Sequence, residues 1–237
     1  MSLLPIATSD DERRRGAKVA VLPIGSFEQH GTYLPLVTDT VVACSIAERV
    51  AATYDLFLLP PVTISCSHEH SAWPGTVSIS HTTLTAIIGD VFSSLRQSGI
   101  DRLALVNGHG GNYALSNVVQ EANVAGPTMT LFPAREDWHS ARQAAGLASN
   151  GYDDMHAGEL EASVLRHAAP ELLRPGVEES DHHASERKFL LVHGMAAYTE
   201  TGVIGTPSNA SADKGRMVLD SLAATFKEHL DALTASQ

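Results

Sequence analysis

Four short apolar runs, separated by stretches of helical periodicity, constrain this chain more than any other feature of its sequence. The run AKVAVLPIG, from Ala17 to Gly25, is rich in Val and Ile and closed by glycine, which predicts a strand buried on both faces. From Thr40, VVACSIAERVAATY repeats apolar residues at helical spacing, with Asp39 and Thr40 as candidate N-caps. LFLLPPV, starting at Leu56, then reads as a strand stopped by prolines. A helix over SISHTTLTAIIGDVFSSLRQSG ends at Gly99 and feeds the strand RLALVNG, a helix beginning near Asn112, and the strand TMTLFPA from Thr128. Strands alternating with helices predict an α/β fold, a three-layer α/β/α sandwich with a largely parallel central sheet. A further helix starts just after His156, and the last, over residues 212–233, packs on the sheet through Val218, Leu222, Phe226 and Leu230. The intervening residues 170–207, richer in turns and charges, read as surface loops.

At 237 residues and 43% hydrophobic content, one domain over 1–237 can bury its core without disulfides. The start MSLLPIATSDDERRRG carries acids and arginines where an export signal needs an apolar run, and no stretch approaches the ~20 apolar residues of a membrane span. A cytoplasmic protein with no membrane partner is expected. Cys44 and Cys66 have no pairing pattern and read as buried free thiols. A net charge of -11 excludes a general binder of nucleic-acid phosphates. Twelve histidines against sixteen Lys and Arg direct attention to metal and proton chemistry, and their placement decides between the two.

In GSFEQHGTYLPLVTDT, Glu28 and His30 stand two apart where the chain leaves a strand, so extended backbone points both side chains the same way. Asp39 follows, and a carboxylate, an imidazole and a second carboxylate can hold a divalent ion, a shared aspartate bridging two. The plainer alternative is an N-cap among ordinary loop polars. In LALVNGHGGN, His109 lies just past the carboxyl end of a central strand, where open α/β sheets place their sites. Gly108, Gly110 and Gly111 allow close approach of backbone amides to a ligand, but the loop lacks the Lys-Ser/Thr of a phosphate loop and the GxGxxG spacing of a dinucleotide site. YDDMHAGELEAS puts His156 at the mouth of a helix with Glu159 three residues on; by themselves Glu159 and Glu161 read as first-turn acids favoured by the helix dipole. SCSHEHSAWPGTVSIS sets Ser67, His68 and His70 before a turn at Trp73 that leads into an alternating strand, a stretch able to line a pocket or simply to pack. His182 and His183 sit in an acidic, solvated loop.

These four stretches, in this order between Val21 and Ser163, resemble the creatininase family, whose pattern joins a GSxEQHG…LPLxTD core, a PGT segment, an NGHGGN loop and an HAGE helix. The resemblance implies a creatininase-like sandwich, a homohexamer and two divalent metal ions per chain (Zn²⁺, Mn²⁺ or Fe²⁺). It implies Glu28, His30, Asp39 and His109 as ligands, with Asp39 bridging. Creatininase carries a glutamate two positions after the loop histidine, where this chain has Gly111; Glu159 is the substitute ligand and Glu161 its rival, with a catalytic role as the other reading of Glu161. His156 matches a histidine set against the substrate, and Tyr152 stands where creatininase has a tryptophan. Candidate substrate contacts are Ser67, His70, Trp73, Gly110, Gly111, Tyr152 and Asp153. The implied reaction is attack of a metal-activated water on an amide carbonyl, with His156 passing a proton to the departing nitrogen and the amides of Gly110 and Gly111 steadying the oxyanion. The expected substrate is a small, non-peptide cyclic amide or formamide. Peptide trimming of the mycofactocin type, or a ligand-binding member without turnover, are the alternatives.

Overall fold

The computed structural model describes residues 3–235. Its sheet is parallel throughout, with β1 (Val19–Ile24), β2 (Phe57–Leu58), β3 (Arg102–Asn107) and β4 (Met129–Phe132) in the order β2-β1-β3-β4. The helices are α1 (Ser9–Arg15), α2 (Thr38–Tyr54), α3 (His81–Gln97), α4 (Leu115–Ala122), α5 (Arg135–Ala144), α6 (Glu159–Ala168), α7 (Leu190–His193) and α8 (Ala212–Thr234). Alternation along the strands divides the core in two. Val19, Val21, Ala104, Val106 and Phe132 join one cluster with α2, α5, α6 and α8, while Ala20, Leu22, Ile24, Leu103, Leu105 and Met129 join another with α3 and α4. The three-layer α/β/α architecture expected from the apolar runs is therefore present.

From β1 the chain crosses to β2 on one side, then returns to place β3 on the other. The loops leaving the carboxyl ends of β1 and β3 consequently part at a topological switch point, where a crevice forms. Gly25 lets the first of these loops press on α2, since a Cβ there would lie 2.4 Å from the backbone nitrogen of Thr40. This contact brings the first turn of α2, with Asp39, under the crevice.

Several local expectations change. β2 is only two residues long because Pro60 and Pro61 follow it; Val62 keeps the segment beside β1 through its N–H to Pro23 O (2.9 Å) and its carbonyl to Gly25 N–H (2.9 Å). The stretch after Trp73 forms no strand, because Val77 N–H bonds Phe27 O while Ile79 N–H bonds Ser65 O, two partners rather than one ladder. α4 begins at Leu115 rather than near Asn112, whose side chain accepts Cys66 N–H (3.2 Å) and donates to Asn107 Oδ1 (3.0 Å). Asp39 is no N-cap: that position is Val37, without a side-chain bond. Residues 170–207 are not all surface loop, for Arg187, Met195, Val203 and Ile204 are buried. Ile204 also exchanges two backbone hydrogen bonds with His156 (3.0 Å each), fixing that histidine in place. α5 escapes the sequence reading because its apolar face is thin; Trp138, Ala141 and Ala145 at helical spacing after Pro133 are its signal. Among the described residues, no helix is long and apolar enough to cross a membrane.

Candidate metal centre

The crevice gathers Glu28 and His30 from the loop after β1, Asp39 from α2, His109 from the loop after β3, and His156 and Glu161 around the start of α6. Among the described residues, three sets bring ligand atoms within 4.8 Å of one another: Glu28, His30 and His156; Glu28, Asp39 and His109; His30, Asp39 and Glu161. His70, expected against substrate, is buried inside the cluster with Nε2 3.3 Å from Glu28 Oε1.

Backbone carbonyls set the imidazoles. A carbonyl only accepts, so His30 Nδ1 donates to Glu28 O (3.1 Å) and His109 Nε2 donates to Cys66 O (2.9 Å). The remaining nitrogens both face Asp39: His30 Nε2 lies 3.0 Å from Oδ1 and His109 Nδ1 lies 3.0 Å from Oδ2. One imidazole thus meets each oxygen of a single buried carboxylate, which Ser26 Oγ also holds at 2.6 Å. His156 is set in the same way, Nε2 donating to Gln29 O (2.7 Å), which leaves Nδ1 bare and 3.7 Å from Glu28 Oε1.

Glu28 is fully buried, yet neither oxygen of its carboxylate meets a hydrogen-bond donor in acceptable geometry. Leaving an ionised carboxylate so placed costs several kcal/mol unless a cation compensates it. The electrostatics agree. Burial pushes the Glu28 carboxyl up to about 7. Burial alone would lower His30 and His109, but it is overcome by the Asp39 charge at His30, which rises to about 9, and by Glu28 and then Asp39 at His109, which rises to about 10. Asp39 itself, though buried, is held well below the usual carboxylate range by those two imidazoles. Protons here balance negative charge that a divalent ion would balance instead, since metal ligands bind deprotonated. The donor set, oxygen and imidazole without thiolate, fits such an ion.

Glu159 does not join the cluster. Its carboxylate turns to the far side of α6, where Lys214 Nζ (2.6 Å), Ser149 Oγ (2.7 Å) and the N–H groups of Ala148 and Ser149 hold it. Glu161, two residues on and so on nearly the opposite face of the helix, faces His30 Nε2 at 3.9 Å. Of the expected substrate contacts, Gly110 and Tyr152 line a cavity of about 950 Å³ beside the cluster, together with His109, Trp138, Arg142 and Glu161. Gly111 lines a second cavity, of about 700 Å³. Ser67 is buried beside Glu28, Trp73 packs 6.3 Å from the His70 ring, and Asp153 is engaged by Asn150 Nδ2 (2.7 Å). Sequence reasoning missed Asp154, which accepts the N–H groups of Glu159 (2.5 Å) and Leu160 (3.1 Å) and pairs with Arg142 (3.0 Å). It caps α6 from four residues before the N-cap glycine, a spacing that no local capping rule contains.

A parallel α/β sandwich with buried carboxylates and imidazoles at its switch point defines a class of metal-dependent hydrolases. The family model described as creatinine amidohydrolase matches residues 7–230, and the chain belongs to the creatininase family. It is 33% identical over 211 residues to the mycofactocin precursor peptide peptidase of Mycobacterium ulcerans, covering 84% of this chain and 78% of that protein. The crystal structure of a creatinine amidohydrolase superposes with a TM-score of 0.81 at 22% identity, covering 98% of this chain and 97% of that one. A manganese form of creatininase gives 0.79 at 23% identity over 95% of each chain.

Proposed function

We propose that this chain hydrolyses an amide C–N bond in a peptide or peptide-derived substrate, using two divalent ions. The observation that carries the reading is Asp39, placed with one imidazole nitrogen 3.0 Å from each of its oxygens. Glu28, Asp39 and His109 would hold one ion, and His30, Asp39 and Glu161 the other. This gives Glu161 the place expected of Glu159, whose carboxylate is already committed to Lys214. The manganese form of creatininase supports Mn²⁺ as one occupant, with Zn²⁺ and Fe²⁺ open to the same ligands. When bound, the ions would supply Lewis acidity, polarising the amide carbonyl and lowering the pKa of water.

The chain's own residues do the rest. His156, with Nε2–H tied to Gln29 O, keeps Nδ1 free to take a proton and pass it to the departing nitrogen. Burial, then the neighbouring His30 and His70, hold its pKa well below the ordinary value, so it is neutral near pH 7 with Nδ1 unprotonated. The cavity of about 950 Å³ beside His109 and Glu161 is roomy for a small ring and suits a peptide segment. The peptidase at 33% identity supports the same substrate class over the non-peptide amide expected from the sequence. The small cyclic amide or formamide is retained as a second reading because the family model is that of creatinine amidohydrolase.

The test is elemental analysis of protein purified without chelator, followed by assays on peptides, cyclic amides and formamides. About two ions per chain are expected, and both ions and turnover are lost in Asp39→Ala. Fewer than about 0.2 ions per chain, with no uptake of added Zn²⁺, Mn²⁺ or Fe²⁺, would leave a ligand-binding protein without turnover.

A further inference from the structure

Gly111, two residues after the loop histidine His109, offers no side chain to the space beside that ring. The space is nevertheless filled. A Cβ on Gly111 would lie 2.0 Å from Glu69 Oε1 and 2.4 Å from His109 Nε2, so the glycine is what lets these two groups share the site. Glu69 comes from a different part of the chain, the short turn His68–His70 that follows the segment beside β1. Its Oε1 lies 3.7 Å from His109 Nε2, the protonated edge of the ring, where the Cys66 carbonyl at 2.9 Å and Glu28 Oε2 at 3.3 Å also lie. The Glu69 side chain is mostly buried, 14% exposed, and it opens on the second cavity. It belongs to none of the three ligand sets, so it stands behind the ligand rather than at the ion.

We propose that Glu69 is the positioning carboxylate of the metal centre, supplying from the 68–70 turn the negative charge that the glycine loop lacks at residue 111. Resting on the two-ion reading above, this assigns Glu69 a defined action on His109. The negative charge of Glu69, 3.7 Å from Nε2, adds to the Cys66 carbonyl that accepts the Nε2 proton, favours the tautomer with Nδ1 toward Asp39, and raises the basicity of Nδ1. Outer carboxylates of this kind are worth about 10- to 100-fold in metal affinity. The same geometry explains Gly111: any side chain there would displace both the charge and the ring it steadies.

The experiment is Zn²⁺ titration of the apo full-length chain against a chromophoric chelator, with the visible spectrum of the Co²⁺-loaded protein as a second readout. Glu69→Gln keeps the volume and removes the charge; it should weaken the tighter or the weaker of the two sites by about tenfold or more and shift the Co²⁺ bands. Glu69→Asp should recover part of the affinity, and Glu121→Gln, on the exposed face of α4, should change neither readout although it alters net charge equally. Thermal unfolding of each apo variant separates a folding defect from a metal defect. Wild-type affinity and an unchanged Co²⁺ spectrum in Glu69→Gln would overturn the assignment while leaving the two-ion reading intact. A wild-type chain that takes up no metal would overturn that reading and this one with it.

Discussion

Two glutamates two positions apart have opposite fates in this chain, and single substitutions separate them. Glu161→Gln removes a carboxylate oxygen from the set it forms with His30 and Asp39, so elemental analysis should find about one ion fewer per chain. Glu159→Gln should keep both ions and lose stability instead, by about 1–2 kcal/mol, because it breaks a partly buried charge-assisted pair with Lys214. Burial would raise the Glu159 pKa, but Lys214, Ser149 and two backbone N–H groups outweigh it and depress it below 4.5. The sign follows: the contribution is complete above the unfolded carboxyl value and is lost as pH falls through the lower folded value. Chemical denaturation at pH 7 and pH 3 should therefore show the Glu159→Gln difference shrinking in acid. His156→Ala should retain its ions and lose turnover by about 100-fold or more. Loss of both ions in that variant would make His156 a ligand, in keeping with its membership of the set with Glu28 and His30. The identities of these residues were visible in the sequence, whereas which of Glu159 and Glu161 faces the buried cluster depended on the partner that Lys214 provides from α8.

α6 carries Glu161 at its first turn, so the way that helix begins governs the second ligand set. Its N-cap, Gly158, has no side chain to offer, and a Cβ there would lie 1.8 Å from Asp154 Oδ1. Asp154 therefore replaces the ordinary cap, taking the N–H groups of Glu159 and Leu160 while Arg142 of α5 balances its charge. Asp154→Ala removes the cap and leaves Arg142 without its carboxylate. The expected cost is about 1–3 kcal/mol, or roughly 2–4 °C of Tm for each kcal/mol, read by thermal unfolding. The same variant should weaken metal retention, since Glu161 moves with the frayed turn; an unchanged Tm would show that the cap is supplied elsewhere. The existence and order of most elements followed from apolar periodicity. Their ends did not, because Asn112, Pro60 and the distant Asp154 act through contacts or missing N–H groups that periodicity does not carry.

On the surface of the whole molecule, Phe189, Leu191 and Val192 stand 53%, 75% and 73% exposed around α7, next to Tyr113 at 61%. Apolar groups gathered in this way mark an interface more often than open surface. Homo-oligomerisation, which the creatininase resemblance implies as a hexamer, would give them cover. Light scattering should find a mass well above 25.2 kDa, reduced in Leu191→Asp; a monomeric wild type would dismiss the assembly. Strand and helix periodicities, the net charge of -11 and four ordered motifs determined the architecture and the kind of chemistry before any contact was known. They did so because burial on both faces of a sheet requires continuous apolar runs, and because a metal needs particular donor types. Tertiary structure alone decided that the loops after β1 and β3 part at one crevice, that His70 turns inward, and that Glu69 fills the space above Gly111. These are distances between residues far apart in the chain, set by packing, and local sequence carries no record of them.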